Sequence, residues 1–366
     1  MPKRGSNIYK RKDGRYEGRV PVGYKEDGML KYKSVYARTL SEVKEKMAQF
    51  YSVRQESTIS SLKITVRDAS EQWLTSAKLR VKPASYANYA NIVFKHILPQ
   101  LGEEHFTGLT TQKLNSFIQH KLQHGRLDGN GGLSAKSVRD IMRVYRSIEH
   151  YALQEYGVKP TNFTIPKVEK KQLDVFNCIE RKRLEQYLLH NLTNTNLGIL
   201  LCLFTGLRVG ELCGLTWGDI DFSTGTLSVK RTVQRINNRG SSEVIIGSPK
   251  SKTSIRIVPL PQFLLDLLLQ KRRSGKIFLV SGTEKPTEPR TVQYRFKAVL
   301  QSCQIRSVPF HLLRHTYATV CIANGFDPKT LSELLGHADA SITLNRYVHS
   351  SMQMKQNYVS RLCLSA

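Results

Sequence analysis

The sequence predicts a multidomain fold: a small N-terminal β-sheet with one helix, an all-α domain, and a mainly α domain with a small antiparallel sheet. Three observations predict it. Hydrophobic periodicity changes from two to 3.6 near residue 60, two polar aperiodic stretches (52–61 and 159–171) interrupt the 366 residues, and a basic excess runs through every segment. The domains are expected at 1–56, 57–160 and 161–366, with a tail from about 350.

In the first segment, Asp13-Gly14 and Asp27-Gly28 flank the runs Tyr16 to Tyr24 and Leu30 to Tyr36, a hairpin pattern. Thr39 or Ser41 then offers an N-cap for a helix reaching about Tyr51, with Val43, Met47 and Phe50 on one face. Lys31 and Lys33 share a strand face with Tyr32 on the other, so a basic sheet surface is available. From Val66 to Tyr156 the pattern is helical. Leu114, Phe117, Ile118 and Leu122 make one stripe, and Ile141, Tyr145, Ile148 and Ala152 another, with the glycine-rich turn GRLDGNGG (125–132) between them. Lys136, Arg139, Arg143 and Arg146 form a basic face on the last of these helices. After the second linker come a helix around Ile179 to Leu189 and an apolar helix ending near Gly206. Two or three β-prone runs follow (225–236, 244–247 and 255–260), and the remainder reads as helical apart from the polar run 282–289.

Charge narrows the function. The net charge is +27, with excesses of 7, 7 and 13 in residues 1–60, 61–170 and 171–366. A basic tail would leave a neutral body; charge spread along the whole chain fits several modules following one extended polyanion, most simply a nucleic acid. The longest apolar run, 197–204, is far below the roughly 20 residues of a spanning helix, and the N-terminus has no apolar stretch of a signal peptide. Neither a membrane nor an export route is expected. The six cysteines form no CxxC pair and mostly sit in apolar runs, so they read as buried thiols of a reducing cytoplasm.

The last segment carries, in order, Gly206-Leu207-Arg208-Val209-Gly210-Glu211-Leu212, Pro249-Lys250-Ser251-Lys252-Thr253, His311-Leu312-Leu313-Arg314-His315, Leu334-Leu335-Gly336-His337 and Arg346-Tyr347-Val348-His349. Each piece alone is ordinary: Arg208 is equally a partner for Glu211 one turn on, and a histidine after a helix stop is equally an exposed cap. As a set, two arginines, a lysine, two histidines and a tyrosine in this order resemble the tyrosine recombinases, the group of phage lambda integrase and the Xer proteins, and within them the integrases of conjugative transposons. The resemblance covers 171–366 in motifs and 61–170 in layout. It extends more weakly to 1–60, which resemble an arm-type DNA-binding domain.

The resemblance implies a core-binding domain of SAM-like type, a catalytic domain, and site-specific cutting and rejoining of DNA through a 3′-phosphotyrosyl intermediate and a Holliday junction. A phosphodiester repels nucleophiles, and attack on it builds further charge on the non-bridging oxygens, so fixed cationic donors must meet it. Arg208 and Arg314 present forked donors that never deprotonate; His311 and His337 add hydrogen bonds or shuttle protons. The resemblance makes Tyr347 the nucleophile and Lys252 the general acid for the leaving 5′ oxygen. Lys250 stands open as a rival to Lys252, His315 to His311, and Tyr317 and Tyr358 to Tyr347. The interval from His337 to Tyr347 is ten residues, one more than in Xer and lambda members.

Neither metal nor nucleotide cofactor is expected, because the phosphotyrosyl link keeps the bond energy and the acidic residues of 171–366 are scattered singly. The expected partners are double-stranded DNA at core and arm sites, a homotetramer on that DNA, and an accessory DNA-bending or excision protein, all in a bacterial cytoplasm at the nucleoid. The tail, with Tyr358, Val359, Leu362 and Leu364, is expected to dock on a neighbouring protomer. A type IB topoisomerase-like enzyme and a non-catalytic DNA-binding regulator are the alternatives.

Overall fold

The structure is a computed structural model that describes residues 7–11, 13–24, 30–49, 64–168, 174–238, 241–249, 252–272 and 277–347. The chain divides into two compact units, residues 1–169 and 170–366.

The first unit opens with an antiparallel sheet of β1 (Ile8–Lys10), β2 (Tyr16–Tyr24) and β3 (Leu30–Ala37), in the order β1-β2-β3. The helix α1 (40–49) is capped by Thr39, whose Oγ1 accepts from the Glu42 amide at 3.2 Å. Val20, Val35 and Ala37 on one sheet face bury against Val43 and Met47 of α1; Phe50 lies outside the described residues. Gly18 in β2 permits this approach, since a Cβ there would run into the Met47 side chain.

Five further helices and two short turns make the helical part. α2 (Val66–Arg80) starts at a Thr65–Asp68 capping box, α3 (Pro83–Ile92) continues through one π-turn (Val93–Ile97) into α4 (Leu98–Leu101), and α5 (Thr111–His124) and α6 (Ala135–Tyr156) follow. The two predicted stripes meet in a core with Trp73, Leu74 and Ile97. Leu122 is the exception and is exposed. The reason is local: α5 is about to end, and the chain returns with Gly132 packed on the Leu122 carbonyl. The segment read as the second linker is fastened, despite having no period. Glu149 accepts from the Thr161 amide at 2.7 Å, Thr161 Oγ1 donates to the Leu109 carbonyl at 3.1 Å, and Phe163 lies edge-on to Tyr145.

The second unit begins with α7 (Cys178–His190), which starts from an Asn177–Glu180 capping box, and the buried α8 (Asn194–Thr205), which Gly206 ends at φ +65°. Short α9 (Val209–Cys213) leads into β4 (Ile220–Asp221), β5 (Thr226–Val229), β6 (Thr232–Asn238), β7 (Ser241–Gly247) and β8 (Arg256–Pro259). One sheet was expected here. Two are found, β4-β5-β8 and β6-β7. The break lies between β5 and β6, where Arg231 turns inward to Asp219 Oδ1 (3.0 Å), Thr216 Oγ1 (3.2 Å) and the Gly214 carbonyl (3.4 Å); satisfying that guanidinium takes the chain out of the first sheet. Then come α10 (Gln262–Gln270), α11 (Pro289–Ser302), α12 (Leu312–Ala323), α13 (Pro328–Leu335) and α14 (Ala340–Tyr347). Cys202, Cys213, Cys303 and Cys321 are buried as expected, but Cys178 is exposed because it opens α7 on its outer side. Cys363 lies outside the described residues, as does the tail. No described helix is long and apolar enough to cross a membrane.

Candidate active site

Arg208, Arg314 and His337 of these motifs meet at the C-terminal end of α13. A helix end leaves its last carbonyls unpaired and carries partial negative charge, so it attracts cationic donors. Three guanidinium groups meet three consecutive carbonyls there. Arg256 Nε donates to Leu334 O at 2.6 Å, Arg314 Nη2 to Leu335 O at 2.7 Å, and Arg208 Nη2 to Gly336 O at 3.4 Å. Gly336 closes the helix at φ +65° and delivers His337 immediately after it.

Arg314, in the first turn of α12, is 1% exposed. Its other arm, Nη1, donates to the Gly206 carbonyl at 2.8 Å, so one side chain ties the end of α8 to the end of α13. Arg208 follows the Gly206 turn and caps α9. Its Nη1 donates to Glu211 Oε1 at 2.6 Å and its backbone amide to Glu211 Oε2 at 3.0 Å, while about a third of the side chain stays open to solvent. Gly206 lets these elements close up: a Cβ there would sit 2.6 Å from the Tyr317 ring and 2.7 Å from Leu335. Tyr317 is therefore a packing residue, and burial pushes its phenol well above the ordinary value.

Glu211 serves two arginines, because Arg256 Nη2 reaches its Oε2 at 3.0 Å. Burial opposes ionisation of Glu211, yet the Arg256 charge and hydrogen bond, helped by Arg208, outweigh it and hold the carboxyl below its ordinary 4.5. The sign of the pH dependence follows. A carboxyl with a lowered folded-state pKa contributes stability that is present above the unfolded value and lost as pH falls through the folded value. Urea unfolding followed from about pH 7 down to about pH 3 is expected to show a drop in stability below about pH 4.5 that Glu211→Gln flattens; an unchanged profile in that variant would rule out this role for Glu211.

His311 precedes α12 as its N-cap residue, three positions before Arg314, and is exposed. Its ring stands edge-on to that of the mostly buried His315, with centroids 4.4 Å apart. His337 Nδ1 lies 2.8 Å from the Oγ1 of Thr343, a buried residue of α14. Tyr347 ends α14, ten residues after His337; its side chain lies outside the described residues. The backbone of Lys252 starts a single 3-10 turn (Lys252–Ser254) between β7 and β8. The Lys252 side chain, Lys250 and Tyr358 lie outside the described residues.

Arg256, Glu211 in its double role and Thr343 are what reading the sequence missed. Arg256 is hidden by an inverted pattern: its strand neighbours Ile255 and Ile257 are 53% and 65% exposed while the charged residue points inward. A buried strand is expected to show the opposite arrangement.

The residues proposed to meet DNA in the first unit separate into two groups. Lys33, Lys136 and Arg143 are exposed, the last within 3.3 Å of Asp140, and the Lys31 side chain lies outside the described residues. Arg139 and Arg146 bond the segment 161–166 as well. Arg139 Nη2 donates to the Pro166 carbonyl at 3.2 Å, and Arg146 Nη1 to Glu149 at 2.5 Å and the Thr161 carbonyl at 3.0 Å, while its guanidinium lies 4.1 Å from the Phe163 ring centre. On the sheet, Lys33 shares its parity with Val35 and Ala37, the face toward α1. The opposite face carries Arg11 over Tyr36 and Arg19 over Tyr9, both at 5.4 Å, with Glu17 accepting from Arg11, Arg19 and Ser34. Its signal was present in the period-two alternation of 16–20 and 32–36.

Comparison with known proteins bears on this arrangement. Residues 179–354 match the Phage integrase family and residues 65–122 the Phage integrase, N-terminal SAM-like domain. The chain is 29% identical over 381 residues to a Tyrosine recombinase XerC-like protein of Caldanaerobacter subterraneus subsp. tengcongensis, covering 95% of each. It is 32% identical over 218 residues to Tyrosine recombinase XerA of Pyrococcus furiosus, covering 57% of this chain and 68% of that one. Among solved structures, the Tn1549 transposon integrase in complex with a circular intermediate DNA shares the fold, with a TM-score of 0.67 at 19% identity over 82% of this chain and all of that one. With the motifs, the fold and these relatives in agreement, the chain belongs to the tyrosine recombinases, enzymes of the phage integrase family that break and rejoin DNA strands.

Proposed function

We propose that this recombinase is the integrase of a mobile element, with Tyr347 as nucleophile and Arg208, Arg314, His311, His337 and Lys252 around the scissile phosphate. The observation that carries this reading is the cluster of guanidinium groups at the end of α13, beside His337 and one short helix before Tyr347. Guanidinium groups anchored on backbone carbonyls hold the site's charge and its helix ends in place before charge develops on the phosphate oxygens. The partly open Arg208 meets a non-bridging oxygen, and Arg314 holds the two helix ends that frame it.

In the reaction, the Tyr347 phenol oxygen bonds to phosphorus as the bond to the 5′ oxygen breaks. The phenol proton passes to the histidine side of the site, and Lys252 supplies a proton to the leaving oxygen. One ester replaces another, so the step is near energy balance and reverses when the 5′ hydroxyl of a partner strand attacks. Four protomers exchanging strands in pairs carry this through a Holliday junction, with the tail from about residue 350 linking neighbours. The aromatic and basic sheet face of the first module binds arm sites, and a DNA-bending accessory protein sets the direction.

Strand exchange tests this. Two plasmids carrying the element's joined ends and its target, incubated with the protein without metal or ATP, are expected to yield recombinant products and a branched intermediate only when both sites are present. Relaxation of supercoils without recombinants, on DNA lacking those sites, would instead identify a topoisomerase-like activity, and binding with no cleavage a regulator.

A further inference from the structure

Arg256 touches none of the groups assigned to the phosphate, yet it joins the elements that carry three of them. Its side chain is 6% exposed and its three nitrogens each have a partner. Nε bonds the Leu334 carbonyl, one turn of chain before His337; Nη2 bonds Glu211, the carboxylate that orients Arg208; Nη1 bonds the Ser254 carbonyl at 3.1 Å. Ser254 closes the 3-10 turn that Lys252 opens. That turn also abuts the helix end directly, since a Cβ on Gly336 would lie 3.1 Å from the Thr253 carbonyl and 3.0 Å from Arg256 Nη1.

We infer that Arg256 is a positioning residue for leaving-group protonation, holding the Lys252 turn at a fixed place against the α13 end and the Arg208–Glu211 pair. The inference rests on the assignment of Lys252 as general acid. Its chemical basis is the guanidinium plane. Five donors in a rigid fork serve three acceptors at once, whereas a lysine ammonium is a point charge on a flexible stem. An acid held only loosely near the 5′ oxygen delivers its proton in few of its encounters, and a misplacement of about 1 Å costs about 100-fold. Sequence separation hides the connection: Arg256 is 45 residues from Glu211 and 78 from Leu334.

The test uses the full-length protein and two duplexes of the same sequence, one ordinary and one with sulfur replacing the bridging 5′ oxygen at the scissile phosphate. A thiolate leaves without protonation, so a defect confined to the acid disappears on the sulfur duplex. Arg256→Lys keeps a positive charge against Glu211 and preserves folding, which thermal unfolding and DNA binding check; Arg256→Gln is the second variant. Lys252→Ala is the reference for loss of the acid.

Both Arg256 variants are expected to cleave the oxygen duplex about 100-fold more slowly than the native protein and the sulfur duplex within about fivefold of it, the pattern of a lost proton donor. Equal slowing on both duplexes while Lys252→Ala is rescued would overturn the inference and leave the acid assignment standing. Cleavage at the native rate by Arg256→Lys would overturn it too. If Lys252→Ala is not rescued by sulfur, the acid assignment itself is wrong and the inference falls with it.

Discussion

Tyr347→Phe is expected to abolish the denaturant-resistant protein–DNA adduct on nicked suicide duplexes, a loss of at least about 10⁴-fold, as when an enzyme's nucleophile is removed. DNA affinity should be unchanged, because the phenylalanine keeps the ring and every phosphate contact made by other side chains. The two measurements together separate a missing nucleophile from a misfolded site. Tyr317 is a poor substitute: its ring packs against Gly206, and burial raises its phenol, so the phenolate is harder to form. An adduct that persists in Tyr347→Phe would move the role to Tyr358 and break the correspondence between motif order and chemistry.

The second large effect falls on stability as well as activity. Arg314→Ala is expected to lower the unfolding free energy of the second unit by about 3 to 5 kcal/mol, since it leaves the Gly206 and Leu335 carbonyls buried without their charged donor and opens a cavity among α8, α12 and α13. For a domain of this size that is a fall in Tm of about 10 °C, measurable by scanning calorimetry. Arg314→Lys should recover part of the stability but little of the cleavage, because one ammonium cannot span both helix ends. A change below about 1 kcal/mol in Arg314→Ala would mean that the two helix ends are held by packing alone.

Both predictions start from residues that stood out in the sequence, and the contrast with those that did not is physical. Strands at 16–24 and 30–36, the helix stop at Gly206 and the core stripe of α6 were legible because each depends on local periodicity or on one glycine at positive φ. Arg208, Arg314 and His337 stand out only as a set, through an order and spacing that resemble the tyrosine recombinases; the helix end or start beside each makes it ordinary when read alone. Arg256 was not, since a charged residue facing inward between two exposed isoleucines reverses the pattern on which strand reading relies. Helical spacing places Arg139 and Arg146 on a basic face of α6 but says nothing of their bonds to the Pro166 and Thr161 carbonyls, which belong to an aperiodic segment that no spacing rule reaches. The second sheet was missed for a related reason: the inward turn of Arg231 toward Asp219 is a tertiary event at a place where strand propensity runs on.

The three arginines at the end of α13 also bear on when the enzyme becomes dangerous. Two of their bonds to that end span 128 residues (Arg208 to Gly336) and 78 residues (Arg256 to Leu334), while Arg314 reaches Leu335 over 21 and ties the same end back to Gly206 over 108. Contacts this distant form late in folding, after the intervening loop entropy has been overcome. A nascent or truncated chain that stops before α13 lacks the backbone to which these arginines are tied and, on the assignment proposed above, the frame of the cleavage site. α13 and α14 are synthesised last of the described elements, so on that assignment the power to cut DNA arrives only after the rest of the described fold has been made.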